Sequence, residues 1–126
     1  MEENKISASL EDYIEAIYQI EKEKELVKAI DLAKRLDVKR SSVAEAIKNL
    51  AKKELVTYEN NILNLTEEGL KIAKEVIKRH NTLSDFFEKI LGVENKEAQI
   101  NACKVEHVLT KNAFDKLCKF VENYKN

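Results

Sequence analysis

Not one proline interrupts these 126 residues, and glycine appears only twice, at Gly69 and Gly92. Proline and glycine are the strongest helix breakers, the first by removing a donor and crowding the preceding turn, the second by its entropy. A chain with so few of them folds naturally into long helices, and its interruptions must come from caps, β-favouring runs and turn residues. With 44% hydrophobic and 36% charged residues it can bury one continuous core or two small ones. No apolar run is long enough to span a bilayer and no signal-peptide pattern is present, so a cytoplasmic location without a membrane partner is expected. In that compartment Cys103 and Cys118 read as thiols.

Periodicity divides the chain. Leu10, Tyr13, Ile14, Ile17, Tyr18 and Ile20 recur at helical spacing and predict a first helix from about Ser9 to Lys22. Ala29, Ile30, Ala33 and Leu36 mark a shorter second helix, broken by Asp37-Val38-Lys39. Val43, Ala46, Ile47, Leu50 and Leu55 carry a third, with Ser41 or Ser42 expected as N-cap and Glu45 placed to close a capping box on Ser42. Two short helices joined by about three residues form a helix-turn-helix. Leu55 to Glu59, then Asn60-Asn61, then Ile62 to Leu65 reads as a hairpin with an asparagine turn. Thr66, followed by Glu67 and Glu68, caps a long helix, and Leu83, Phe86, Phe87, Ile90 and Leu91 form an apolar stripe ended by Gly92. Two further helices are expected near Lys96–Leu109 and Lys111–Tyr124. The fold class is therefore mainly α: a winged helix-turn-helix with a small β-hairpin wing over residues 1–75, then a helical domain over 76–126.

The net charge of −1 conceals an asymmetry. Met1 to Glu21 holds 1 Lys against 6 Asp/Glu, Lys22 to Lys53 holds 10 Lys/Arg against 5 Asp/Glu, and the remainder is nearly balanced at 11 against 12. The basic stretch coincides with the helix-turn-helix. Lys39, Arg40, Ser41 and Ser42 lie at the start of its second helix, where side chains and backbone amides reach phosphates and base edges of double-stranded DNA, and Lys48 extends the row. A solvated basic face is the plainer reading of the same residues. Glu45 departs from the pattern, since a carboxylate there either accepts from a cytosine amine or points away from DNA.

A second cluster has the chemistry of a metal site. On a helix, Cys103, Glu106 and His107 share one face at i, i+3 and i+4. Asp12 and Glu15 repeat the i, i+3 spacing, and His80 is one of only two histidines. Sulfur, nitrogen and oxygen donors from three segments suit a divalent transition metal. Taken singly, each has a duller role: Asp12 in a capping box with Ser9, Glu15 and Glu106 as solvated helix residues, Cys103 as a small core residue, His80 and His107 as hydrogen-bonded histidines.

The ordered set resembles the diphtheria toxin repressor and manganese transport regulator family of metal-activated repressors, in its short two-domain form. The resemblance runs from Ser9-Leu10-Glu11-Asp12-Tyr13-Ile14-Glu15 through Ile30-Asp31-Leu32-Ala33 and Ser41-Ser42-Val43 to Arg79-His80 and Ala102-Cys103-Lys104-Val105-Glu106-His107. It implies operator binding by the winged helix, a homodimer built by the later helices, and a metal held by Asp12, Glu15, His80, Cys103, Glu106 and His107. Asp12 and Glu15 match the manganese branch, whereas Cys103 stands where the iron-responsive branch has a cysteine, so the set is a hybrid. The implied cofactor is Fe2+ or Mn2+, with Zn2+ and other divalent ions able to bind in vitro. Ser84 and Gln99 occupy positions that would supply an ancillary metal site, which is therefore not expected. Phe86, Phe87 and Ile90 are candidates for the dimer interface, because so few residues follow the wing that part of this stripe needs a partner. Two other classes stay open: a metal-independent winged-helix regulator sensing another ligand, and a small metallohydrolase.

Overall fold

Tyr13, Ile14, Ala16, Ile17 and Ile20 all lie on one side of α1 (Ala8–Glu23), and all are buried. The computed structural model describes residues 8–125. They divide into two units, the first ending at Lys74 and the second beginning at Glu75.

In the first unit, α2 (Ala29–Leu36) opens where the Asp31 carboxylate accepts the Lys28 backbone N–H at 2.8 Å. That bond, reinforced by Lys24, holds the Asp31 carboxyl below its usual range against a smaller opposing effect of burial. A carboxyl with a lowered folded pKa stabilises the fold above its unfolded pKa and loses that contribution as pH falls through the folded value. Asp31→Ala should therefore lower stability by about 1 kcal/mol at pH 7, with the gap closing in acid. Urea melts at both pH values check this, and a pH-independent gap would contradict it.

The helix ends at Asp37, left-handed at φ 55, where the Val38 N–H bonds the Ala33 carbonyl at 3.1 Å. Next, α3 (Arg40–Lys52) starts earlier than the serines suggested. Its N-cap is Lys39, with no side-chain cap, and the Val43 N–H bonds the Lys39 carbonyl at 3.1 Å. Ser41 and Ser42 thus lie inside the first turn, and the expected Ser42–Glu45 capping box does not form. Burial of Val43, Ala46, Ile47 and Leu50 sets the helix phase, and the short link from Asp37 leaves Lys39 as the last extended residue. At the far end Glu54 is left-handed at φ 61, with Leu55 N–H bonded to the Leu50 carbonyl and Glu54 N–H to the Ala51 carbonyl, each at 2.9 Å. This is the double bond pattern of a Schellman ending.

The strands β1 (Val56–Glu59) and β2 (Ile62–Leu65) pair antiparallel, Val56 with Leu65 and Glu59 with Ile62. Asn60 and Asn61, at φ 53 and 65, make the two-residue turn whose twist matches the strands. Val27 joins the hairpin edge through the Leu63 N–H, at 2.8 Å from its carbonyl, a third contact that the sequence pattern does not announce. Ile14, Ile17, Leu32, Leu50, Leu55 and Leu63 fill the core. The wing leads into α4 (Glu67–Asp85), where Thr66 Oγ1 accepts the Gly69 N–H at 3.1 Å and donates to the Glu54 carbonyl at 2.8 Å.

The second unit begins within α4. After Asp85 the helix widens into a π turn, Phe86–Ile90, with the Leu91 N–H reaching back to the Phe86 carbonyl at 3.0 Å. Gly92, at φ 80, then releases the chain. Two helices follow, α5 (Asn95–Val105) and α6 (Lys111–Lys125), around Val76, Leu83, Ala98, Ala102, Phe114 and Val121. Helix α5 stops short of the expected Leu109. Thr110 starts α6, its hydroxyl accepting the Ala113 N–H at 3.2 Å, so the preceding residues turn instead of continuing α5. None of the described helices is long and apolar enough to cross a membrane.

Candidate metal centre and DNA-facing helix

The second unit gathers three donors. His80 projects from α4, Cys103 from α5, and Glu106 from the residue that caps α5, and one ligand-type atom of each lies within 4.8 Å of the others. Glu106 is the unusual member: its carboxylate is almost wholly enclosed, at 1% exposed. Its Oε1 lies 2.8 Å from His80 Nδ1, while its Oε2 is buried with no hydrogen-bond partner. A buried acceptor without a partner calls for an explanation, and a bound cation is one that the neighbouring donors fit. Carboxylate oxygen, imidazole nitrogen and thiolate sulfur all bind first-row divalent metals at about 2.0–2.3 Å, so donors a few ångströms apart suit one ion.

His107 follows the helix end. Its Nε2 is 3.8 Å from Glu106 Oε2, longer than a hydrogen bond, and its side chain is 11% exposed. Glu106 keeps helical dihedrals as the C-cap, so it shares a face with Cys103 as expected, while His107 falls in the turn that follows; the gathered three are His80, Cys103 and Glu106. Asp12 and Glu15 lie on α1 in the first unit, Asp12 exposed and Glu15 half-buried beside Gln19. Gln99 has a part that the sequence did not reveal: its Oε1 is 2.6 Å from His80 Nε2. The available signal was spacing, since Gln99 precedes Cys103 by one helical turn. Ser84, the other residue noted at an ancillary position, is buried with its hydroxyl unpartnered.

Lys39, Arg40, Ser41, Ser42 and Lys48 are all exposed at α3 and its N-cap. Glu45 turns toward an open groove that it lines with Asp12, Tyr13, Ser41, Ser42 and Asn49. In the second unit Phe86, Phe87 and Ile90 are half-buried within the chain itself. Phe86 meets Phe87 edge-on at 5.6 Å and Phe120 at 6.5 Å, and Phe120 and Tyr124 are 52% and 58% exposed.

Comparison with known proteins accounts for both halves. Residues 5–62 match the iron dependent repressor N-terminal DNA binding domain, and residues 66–126 match the iron dependent repressor metal binding and dimerisation domain. An HTH-type transcriptional regulator of Methanocaldococcus jannaschii is 38% identical over 123 residues, covering 96% of this chain and 98% of that protein. The chain belongs to the iron-dependent repressor family. It is a metal-dependent transcriptional regulator with a winged helix-turn-helix and a helical metal-binding and dimerisation domain. The HTH-type transcriptional regulator MntR of Bacillus subtilis is 36% identical over 118 residues, 93% of this chain and 82% of the relative. A manganese-dependent transcriptional repressor in complex with manganese shares the fold at a TM-score of 0.81 and 25% identity. That match takes in 90% of this chain, which spans about half, 52%, of the other.

Proposed function

We propose that this regulator represses its target genes by binding double-stranded operator DNA as a homodimer when Fe2+ or Mn2+ occupies a site containing His80, Cys103 and Glu106. The observation that supports it is the buried Glu106 carboxylate, with no hydrogen bond to Oε2, beside the imidazole and the thiol. Asp12, Glu15 and His107 are proposed as further ligands on the strength of the family resemblance. When bound, a divalent cation supplies the positive charge that a cluster of carboxylates and a thiolate lacks. Cys103 adds a soft donor, which favours Fe2+ over Mn2+, while the carboxylates suit either ion. Operator retardation across Fe2+, Mn2+ and Zn2+ under anaerobic conditions, with a chelator control, tests the reading. Equal retardation in excess chelator would refute it and favour a metal-independent regulator.

Lys39, Arg40 and Lys48 are proposed as phosphate contacts, with Ser41 and Ser42 beside them at the start of the recognition helix. Each phosphate neutralised releases counterions, so binding should weaken steeply with salt. If two copies each place these three cations on phosphates, affinity should drop about a thousandfold between 50 and 200 mM salt. A flat salt response in the same retardation assay would remove this face from the interface.

The dimer is proposed to use the aromatic face of the second unit. Phe86, Phe87 and Ile90 supply its half-buried base, and Phe120 and Tyr124 its exposed edge. Phe120→Asp should weaken association by several kcal/mol, because it sets an unpaired charge in an apolar contact. Sedimentation at micromolar concentration should show monomer, and an unchanged dimer would place the interface elsewhere.

A further inference from the structure

We infer that Gln99 decides which nitrogen His80 presents to a metal: its side-chain carbonyl accepts the Nε2 proton, leaving the Nδ1 lone pair for the cation beside Glu106. The inference rests on the metal-site reading above and adds to it a positioning residue outside the ligand set.

The geometry sets the problem. His80 lies between two oxygens, with Nδ1 at 2.8 Å from Glu106 Oε1 and Nε2 at 2.6 Å from Gln99 Oε1. A neutral imidazole has one N–H and one lone pair. It can donate to one of these oxygens, and its other nitrogen then meets an oxygen lone pair at hydrogen-bond distance. With Glu106 as a carboxylate, three arrangements relieve that repulsion. An imidazolium donates to both oxygens. Alternatively, the Gln99 amide turns over, so that its NH2 donates to Nε2 while Nδ1–H donates to Glu106. In the third, a cation sits on Nδ1 and Glu106 together, and Nε2–H donates to Gln99.

Only the third leaves His80 a lone pair for a metal. The first has none free, and in the second the free nitrogen is already bound by the amide. Gln99 with its carbonyl toward the ring therefore accompanies the metal-ready tautomer. Its place in the sequence suits the task, since Gln99, Cys103 and Glu106 follow one another at i, i+4 and i+7 along one side of α5 and its cap. A metal-ligating histidine usually donates its second ring N–H to such an acceptor, and loss of the acceptor costs about 10–100-fold in metal affinity.

Cd2+ is a suitable probe, because it is diamagnetic and its thiolate bond absorbs in the ultraviolet. The full chain is loaded with Cd2+ under anaerobic, reducing conditions, and the histidine ring nitrogens are read by 15N NMR, with only two histidines to assign. The expected result is His80 coordinated through Nδ1, with a proton on Nε2. Chelator competition should show Gln99→Met, similar in length but without the amide acceptor, binding Cd2+ about 10–100-fold more weakly, and Gln99→Glu, which keeps an acceptor, close to the parent. Gln99 is exposed, so neither change disturbs the core. Coordination through Nε2, or parental affinity in Gln99→Met, overturns the inference and leaves the metal site standing. If Cd2+ leaves the His80 ring signals of the parent unchanged, the metal-site reading fails first and takes this inference with it.

Discussion

Glu106→Gln should remove most of the stabilisation that Mn2+ or Fe2+ gives the chain, while the metal-free variant stays folded. The side chain keeps its volume, so the change is confined to charge. In the parent the buried carboxylate has one oxygen without a hydrogen bond, which costs stability, and a contact from the other to His80 at 2.8 Å, which opposes that cost. These offset, and the metal-free stability should move by no more than about 1 kcal/mol. Metal binding does not offset. A ligand at a hundred times its dissociation constant stabilises the native state by about 2.7 kcal/mol. If losing one anionic donor weakens binding about a hundredfold, the same metal concentration then yields only about 0.4 kcal/mol. In a domain of this size the difference is on the order of 10 °C in Tm. Thermal melts of parent and variant with and without Mn2+, and anaerobically with Fe2+, measure it. A variant whose Tm rises with metal as much as the parent's would take Glu106 out of the site.

The elements themselves were legible because this sequence marks them by period and by turn chemistry. Helices α1 and α2 follow the apolar spacing, and the hairpin follows from Asn60-Asn61, since asparagine tolerates the left-handed conformation that both turn positions adopt. Boundaries set by tertiary context were not legible. Serine is the better N-cap, yet Lys39 holds that place, because burial of Val43, Ala46, Ile47 and Leu50 fixes the helix phase and local preference yields to packing. The π turn at Phe86–Ile90 left no trace in the apolar stripe, which fits either helical period.

At the candidate site the donor types could be read from spacing, but their burial could not. Nothing in Cys103-Lys104-Val105-Glu106-His107 distinguishes the carboxylate that is almost wholly enclosed from the neighbours that are not. Helix geometry placed Cys103, Glu106 and His107 on one face; Cys103 and Glu106 share it, since Glu106 keeps helical dihedrals, and His107 falls in the turn before Thr110 begins the next helix. Gln99 read as a departure from an ancillary ligand, and only the fold sets it against His80.

The largest loss of stability should come from a single methyl group at Gly69. Intrinsic propensity argues the other way: within a helix, alanine is favoured over glycine by about 1 kcal/mol, and Gly69 lies in the first turn of α4 without a positive φ. Space reverses the sign. A Cβ on Gly69 would lie 2.1 Å from the Leu55 carbonyl oxygen and 3.2 Å from Leu65 Cδ2. The oxygen belongs to backbone that cannot easily retreat, because Leu55 is buried, its N–H is held by the Leu50 carbonyl at 2.9 Å, and its own carbonyl accepts the Thr66 N–H at 3.1 Å. Relief requires a shift of roughly an ångström in the junction of α3, the wing and α4, and overpacking of this severity costs about 3 kcal/mol or more. That is a large share of the 5–15 kcal/mol that typically holds a domain together. Gly92 provides the contrast. There φ is 80 and an added methyl would meet nothing within 4 Å, so Gly92→Ala should lose only about 1 kcal/mol, from backbone conformation alone. Urea denaturation of the two variants separates steric from conformational cost, with Gly69→Ala expected to be far the weaker. A midpoint for Gly69→Ala at or above the parent's would mean that helix propensity outweighs the contact with Leu55.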